Sequence, residues 1–360
     1  MLRAMTVKYF ACVRFACVFF DTVQVHLSGS TLNTISRLLP GVPSGSRRAF
    51  LAALASAGVA ACAPPVGPLQ VGTIVFPGYE LLILAREMGM LQPGLVRPVE
   101  LQNSSDSVRA LAVGELDAAL LTMDEVMAAR AGGVDLRAVL VLDTSDGADQ
   151  VLARPGINLS NLAGRRVAAE DNSVGALMMA SLLEAAGLEA EQVVKVATTQ
   201  SRAAEFYRRG LADVMVTAEP WAGQIRAMGG VGIFDSSAVP DRIVDVVAVR
   251  ADKLQTHAEA LRHLVAMQFA ALDLYRQHPE QATPLLAPRL QVQPAQVVAS
   301  FQGLSLPDRV QNQAMLRPGG TLANSLPKLQ NILLQAKLLR SAVDTNALLD
   351  DRFVRAGGPA

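Results

Sequence analysis

LAVGELDAALLTMDE (111–125) and YRRGLADVMVTAEP (207–220) are two versions of one pattern. Each reads as the end of a helix, a Gly, an acidic residue, a short apolar strand, a Thr and a second acidic residue. Gly suits the left-handed backbone that stops a helix. The polar residues then arrive at the C-terminal end of the strand, and in open α/β sheets ligands bind beyond those ends. Two such units facing one another make a cleft between two lobes.

The surroundings of both copies extend the pattern. Before the first lie a strand LQVGTIVF (69–76), a helix GYELLILAREMGML (78–91) and a strand VRPVEL (96–101). A helix with Ser/Asp caps, SSDSVRALAVGEL, leads into the strand DAALLT (117–122). The helix MDEVMAARAGG and the strand LRAVLVLD (136–143) follow. Around the second copy, RRVAAE (165–170), EQVVKVAT, ADVMVTAEP and DRIVDVVAVR (241–250) read as strands. SVGALMMASLLEAAGL (with Ser173 as N-cap), SRAAEFYRRGL and WAGQIRAMGG read as helices between them. Helices then run from Ala251 to about Ala347. Such alternation predicts an α/β protein whose mostly parallel sheets are flanked by helices, with a helical C-terminal region.

The 360 residues suggest about two domains, and with 51% of them hydrophobic a sizeable core is available. Lys plus Arg and Asp plus Glu each total 32, with no basic stripe, so nucleic acid is not an expected partner. The three cysteines, Cys12, Cys17 and Cys62, form no disulfide framework or metal motif, and no metal or cofactor is expected. The four histidines are scattered and none falls in the predicted cleft loops.

SGSRRAFLAALASAGVAACAPP (44–65) has the order of an export signal: a basic pair Arg47-Arg48, an uncharged run over 49–61, and small residues before Cys62. That run falls short of the ~20 residues that span a bilayer. SRRAFL resembles the twin-arginine export motif, and VAAC resembles the lipobox of bacterial lipoproteins. Residues 44–62 are therefore expected to be a signal ending in a lipidated Cys62, and 63–68 a tether. Residues 1–43 fit no globular pattern and are expected to be a leader or a mis-assigned start, with translation beginning near Val42.

FPGYELLILAREMGML, GELDAALLTMDE, LSNLAGRRVAAEDNSVGALMM, GLADVMVTAEPW and FDSSAVPDRIVDVVAVR resemble the type II periplasmic solute-binding proteins of ABC importers. The similarity covers about 69–302 and is to the group that includes nitrate, sulfonate, taurine and thiamine-precursor binders. It implies a first lobe of 69–148 completed by 241–345, a second lobe of 149–240, and a tail at 346–360. It also implies a hinge at DTSDGADQ (143–150) and closure on a ligand. The implied partners are a small-molecule ligand, an ABC permease with its ATPase, and the membrane through the lipid anchor. The protein is expected to be a monomer outside the cytoplasm, at the cell surface or in the periplasm. Many relatives carry Trp where Phe76 stands, and the cysteine-rich segment of some thiamine-precursor relatives is absent.

Strand-end logic and the resemblance select the same loops. Phe76, Pro77, Gly78 and Tyr79 follow the first strand. Ser104 and Ser105 follow the second, where at least one reads as an N-cap. Thr122, Met123 and Asp124 follow the third, and Asp146 sits on the hinge. In the second lobe the candidates are Asp171, Asn172, Ser173, Thr199, Gln200, Glu219, Pro220 and Trp221, the only Trp in the chain. Asp124, Glu125, Asp146, Asp149, Glu170, Asp171 and Glu219 all fall on predicted rim or hinge loops; Glu125 and Glu170 read as capping or solvated. Arg202 is the main basic exception. An oxyanion site would need guanidinium or ammonium donors, so the expected ligand carries an amine or an electron-poor heterocycle. An enzyme reading finds no G-x-S-x-G, Walker A, H-E-x-x-H or G-x-G-x-x-G. A thiamine-precursor-type enzyme on this fold and a ligand-sensing input protein remain the alternatives.

Overall fold

The computed structural model describes residues 66–171 and 173–355. The leader, the signal and Cys62 lie outside the described residues, as do Asn172, the side chain of Ser173 and 356–360. The described residues belong to one compact unit.

Its first half is β1 (Leu69–Thr73), α1 (Glu80–Glu87), β2 (Val96–Glu100), α2 (Ser104–Val113), β3 (Ala118–Thr122), α3 (Met123–Ala131) and β4 (Leu136–Ser145). The chain then enters β5 (Gln150–Ala153), β6 (Arg166–Glu170), α4 (Ser173–Ala186), β7 (Val194–Thr198), α5 (Ala203–Arg208), β8 (Val214–Thr217), α6 (Trp221–Ala227) and β9 (Val231–Asp235). It returns in β10 (Val244–Arg250), followed by α7 (Ala258–Gln277), α8 (Pro279–Leu290), α9 (Val297–Ser300), β11 (Leu304–Ser305), α10 (Arg309–Leu316) and α11 (Thr321–Gln335). One sheet has the order β11-β4-β10-β3-β1-β2 and the other β7-β6-β8-β5-β9. The protein is thus α/β with two lobes.

Both sheets are mixed, where the alternation predicts mostly parallel ones. β1 pairs in parallel with β2 and β3, but β10, coming back from the second lobe, runs antiparallel to both β3 and β4. In the second sheet β6 is parallel to β7 and β8, while β5 is antiparallel to β8 and β9. β5 and β9 are missing from the sequence reading because Gly-rich and acidic residues flank them and mask the strand pattern.

The two patterned segments fold alike. Gly114 (φ 79°) and Gly210 (φ 68°) take the left-handed turn after α2 and α5. The acid three residues on, Asp117 or Asp213, accepts the N–H of Gln70 (2.9 Å) or Arg166 (3.0 Å) at the start of the neighbouring parallel strand. The acid therefore fixes the register of β3 on β1 and of β8 on β6.

Residues 346–355, expected to be a loose tail, are packed. Ala138 N–H donates to the Leu348 carbonyl (2.8 Å), and Asp350 N–H donates to the Ala138 carbonyl (2.9 Å). β11 pairs only with the last residues of β4, at Thr144 and Ser145. The returning segment bridges at Ala138, upstream of that pairing, and so covers edge groups that would otherwise be exposed. Burial of Leu348, Phe353 and Val354 holds it there, each at roughly 1.5–3 kcal/mol for full burial. Among the described residues no helix is long and apolar enough to cross a membrane.

Candidate functional site

The C-terminal ends of β1, β2 and β3 and those of β6, β7 and β8 deliver their loops to a cleft of about 50 Å³. Phe76, Tyr79, Ser104, Thr122, Gln200 and Trp221, all selected from sequence, line it together with Ile74, Val75, Val174 and Ile243. Its acids are Glu125, Asp149, Glu170 and Asp245. Among the described residues, no lining side chain is Lys, Arg or His.

The aromatic wall is built locally. Phe76 and Tyr79 meet edge to face with centroids 5.2 Å apart, because the short turn over Pro77–Tyr79 brings the two rings together. Trp221 opens α6 on the other side and is 8% exposed. Val75 of the first lobe packs against the apolar cluster that contains Trp221.

Beneath the first-lobe wall lies a set of carboxyl groups without a cation. Asp143 and Asp245 are paired across β4 and β10 and both are buried. Tyr79 Oη donates to Asp245 Oδ1 at 2.5 Å. Burial pushes both acids up: Asp143 to about 7, against a hydrogen bond from Asp245 that lowers it, and Asp245 well above its ordinary range by burial and then by the charge of Asp143. Burial, then Asp245, likewise keeps the Tyr79 hydroxyl protonated as a donor. Gly78 is required here, since a Cβ would lie 1.8 Å from Asp143 Oδ2.

Around the cleft, burial raises Asp149 to about 6, and burial with the neighbouring Glu125 charge raises Glu170 to about 7. Asp124, at the start of α3, is pushed to about 8 by burial and then by Glu125. Glu125 accepts from the Ser104 hydroxyl and from Thr122 N–H (3.2 Å), capping α3 while facing the cleft.

Other sequence-selected residues are placed elsewhere. Pro77 and Met123 are core, and Asp124 is fully buried behind the lining. Asn103, not Ser104 or Ser105, caps α2: its side chain accepts Asp106 N–H at 2.9 Å. Ser104 and Ser105 are already inside the helix. Asp146 is exposed, and the hinge acid that faces the cleft is Asp149, three residues on, because the chain turns between them at Gly147 (φ 101°). Asp171 is exposed and lines a separate groove beside α4, and Thr199 bonds Ser201 (3.2 Å). Glu219 pairs with Arg226 and accepts Gly223 N–H (3.0 Å), and Pro220 is buried beside it. Arg202 lies over the Phe206 ring (4.8 Å), away from the lining. Asn172 and the Ser173 side chain lie outside the described residues. Sequence reasoning passed over Asp245, whose signal was a lone acid inside the apolar run IVDVVAV. Among the described residues, no cluster of three or more His, Cys, Asp or Glu has an arrangement that would hold a metal ion.

The sequence profile of the NMT1-like family matches residues 62–287, well over half of the chain. No curated protein matches it. Among solved structures, the alkanesulfonate-binding protein SsuA from Xanthomonas axonopodis pv. citri, bound to MOPS, is similar at a TM-score of 0.67 and 16% identity, over 80% of this chain and 100% of that one. The periplasmic nitrate-binding protein NrtA from Synechocystis PCC 6803 is similar at a TM-score of 0.64 and 14% identity, over 81% and 88%. The desulfurization enzyme DSZB is similar at 0.60 and 17% identity, over 80% and 98%. These likenesses establish the two-lobe fold, shared by binders and at least one enzyme.

Proposed function

Because the chain belongs to the NMT1-like family, we propose that it is the ligand-capturing component of an ABC importer that takes a small organic cation. The observation that carries the ligand class is the cleft that, among the described residues, is lined by four acids and by no basic side chain. A sulfonate or nitrate there would face carboxylates with no guanidinium or ammonium donor, a costly arrangement in a site of low polarity. A protonated amine or aminated heterocycle would offset those charges, with Phe76, Tyr79 and Trp221 as faces for it.

The mechanism follows from the fold. Ligand enters between the lobes, and contacts made to both stabilise the closed state, which docks to a permease driven by its ATPase. We read the site as one of binding rather than catalysis, as in the sulfonate- and nitrate-binding proteins of the same fold. The protein works outside the cytoplasm as a monomer, held to the membrane by a lipid on Cys62 after export, with the twin-arginine pair as the export signal. Isothermal calorimetry against amines, aminopyrimidines, simple sulfonates and nitrate tests the ligand class; tight binding of methanesulfonate with no response to any amine overturns it. Cys62→Ser should move the protein from the membrane fraction to the soluble one, and retention in the membrane would remove the anchor.

A further inference from the structure

Of the four acids that line the cleft, Asp149 alone has a buried carboxylate oxygen, Oδ2, with no partner among the described residues. The residue is 5% exposed. It stands in the first of the two segments that cross between the lobes, one residue before β5. Its backbone is a node of both crossings. Asp149 N–H donates to Ser145 Oγ (3.1 Å), and the Asp149 carbonyl accepts Ser236 N–H (2.9 Å) from the second crossing. The Ser145 and Ser236 hydroxyls bond each other at 2.7 Å, and Ser236 Oγ accepts Gly147 N–H at 2.7 Å.

We infer that Asp149 is the group that reads the ligand's positive charge and that its backbone carries this reading into the hinge. The inference rests on the organic-cation reading above. An open cleft leaves the carboxylate to water; closing strips that water away and leaves Oδ2 unanswered. Closure of the empty protein is therefore opposed. A ligand N–H placed on Oδ2 answers it and removes the opposition, so charge recognition and lobe movement meet in one residue. The acceptor is an oxygen awaiting a hydrogen, which selects ammonium, amidinium or guanidinium groups over quaternary ammonium. Neighbouring carboxylates do not duplicate this role, because Ser104 and Thr122 already bond Glu125, Tyr79 already bonds Asp245, and Glu170 accepts the backbone N–H of Gln200.

The test uses the purified protein with n-butylammonium, methylguanidinium and tetramethylammonium as probes, calorimetry for binding and small-angle scattering for closure. Wild type should bind the first two in preference to tetramethylammonium and contract on doing so. Asp149→Asn should weaken them by at least ~30-fold, and without ligand it should scatter as a more closed molecule than wild type. That second readout is one that a merely structural residue would not give, and it also shows the variant to be folded. Ser236→Ala should keep binding within several-fold while the contraction shrinks. Asp149→Asn binding within twofold of wild type, or Ser236→Ala contracting as wild type does, overturns the inference and leaves the importer reading standing. Wild type that binds no cation, while binding methanesulfonate, overturns the ligand class and this inference with it.

Discussion

The two patterned segments reach the cleft by the same route and arrive in opposite electrical states. Each turns at a left-handed Gly, fixes its strand through an acid on a neighbouring N–H, and ends in a Thr followed by acid. In the second lobe the terminal acid, Glu219, is paired with Arg226 and with Gly223 N–H. In the first, Asp124 has no partner for either oxygen among the described residues, and Glu125 has hydroxyl and amide donors but no cation. One lobe has spent its charge on its own structure, and the other presents it. On the organic-cation reading proposed above, the contrast assigns the charge contacts chiefly to the first lobe and to Asp149 at the hinge, with Glu170 the acid that the second lobe adds.

The same substitution should have different consequences in the two lobes. Asp149→Asn is expected to weaken binding of n-butylammonium by about 30-fold or more, the scale for truncating one side of a desolvated charge pair. Glu219→Gln should leave that affinity within about threefold and instead lower stability by roughly 1–3 kcal/mol, since Gln has no charge for Arg226 and keeps only one of the two oxygens that Arg226 and Gly223 N–H use. Calorimetry and urea denaturation on both variants check the pair; equal loss of affinity from both would erase the asymmetry.

A smaller effect concerns pH. In the folded chain Asp124 and Asp143 titrate near 8 and 7, against an ordinary 3.8. The folded state therefore holds protons that the unfolded chain releases. Their stabilising contribution is full below about pH 4 and is lost as pH rises through 7 to 8. Glu100 and Asp213, held low chiefly by hydrogen bonds from Arg289 and Arg166, act in the other direction and lose their contribution as the medium becomes acidic. The ligand-free protein should melt on the order of 5 °C higher at pH 5 than at pH 8, and Asp124→Asn should flatten that slope. A melting temperature that rises with pH over this interval would contradict the unpaired state of the first-lobe acids.

Trp221→Ala should cost about tenfold in affinity for an aromatic or guanidinium ligand, the scale of one stacking or cation–π contact, and less for n-butylammonium. An equal loss for both would make the ring a packing element of the second lobe. Smallest of all, Arg202→Ala should change stability by under about 0.5 kcal/mol, because its pair with Glu205 is solvent-exposed. A large loss of affinity there would place a cation in the cleft after all.

Much of this was legible in the residues. The Gly-to-acid repeat marks the two strand ends, and Phe76, Tyr79, Thr122, Gln200 and Trp221 follow from where those strands stop. Pairing across strands was not legible. Asp143 and Asp245 are a hundred residues apart, and only the antiparallel return of β10 sets them opposite each other. Asp149 was named among the hinge acids, but Asp146 was selected for the site, because periodicity does not say which way a side chain points after a left-handed Gly. Asn103 displaced the neighbouring serines as a cap because Asn and Ser accept a backbone N–H equally well, and only the backbone decides which of the three residues flanks the helix.

The central place of β10 has a consequence for how the molecule comes into being. The second sheet is contiguous in sequence, from Gln150 to Asp235, and all its strands have left the ribosome before the first sheet receives the strand that lies between β3 and β4. The lobe that begins first therefore finishes last, and until then it has a gap between β3 and β4 where β10 will sit. β10 also brings Asp245. A chain interrupted before it has neither a complete first sheet nor a complete cleft, so ligand recognition is acquired in the same step that completes the fold.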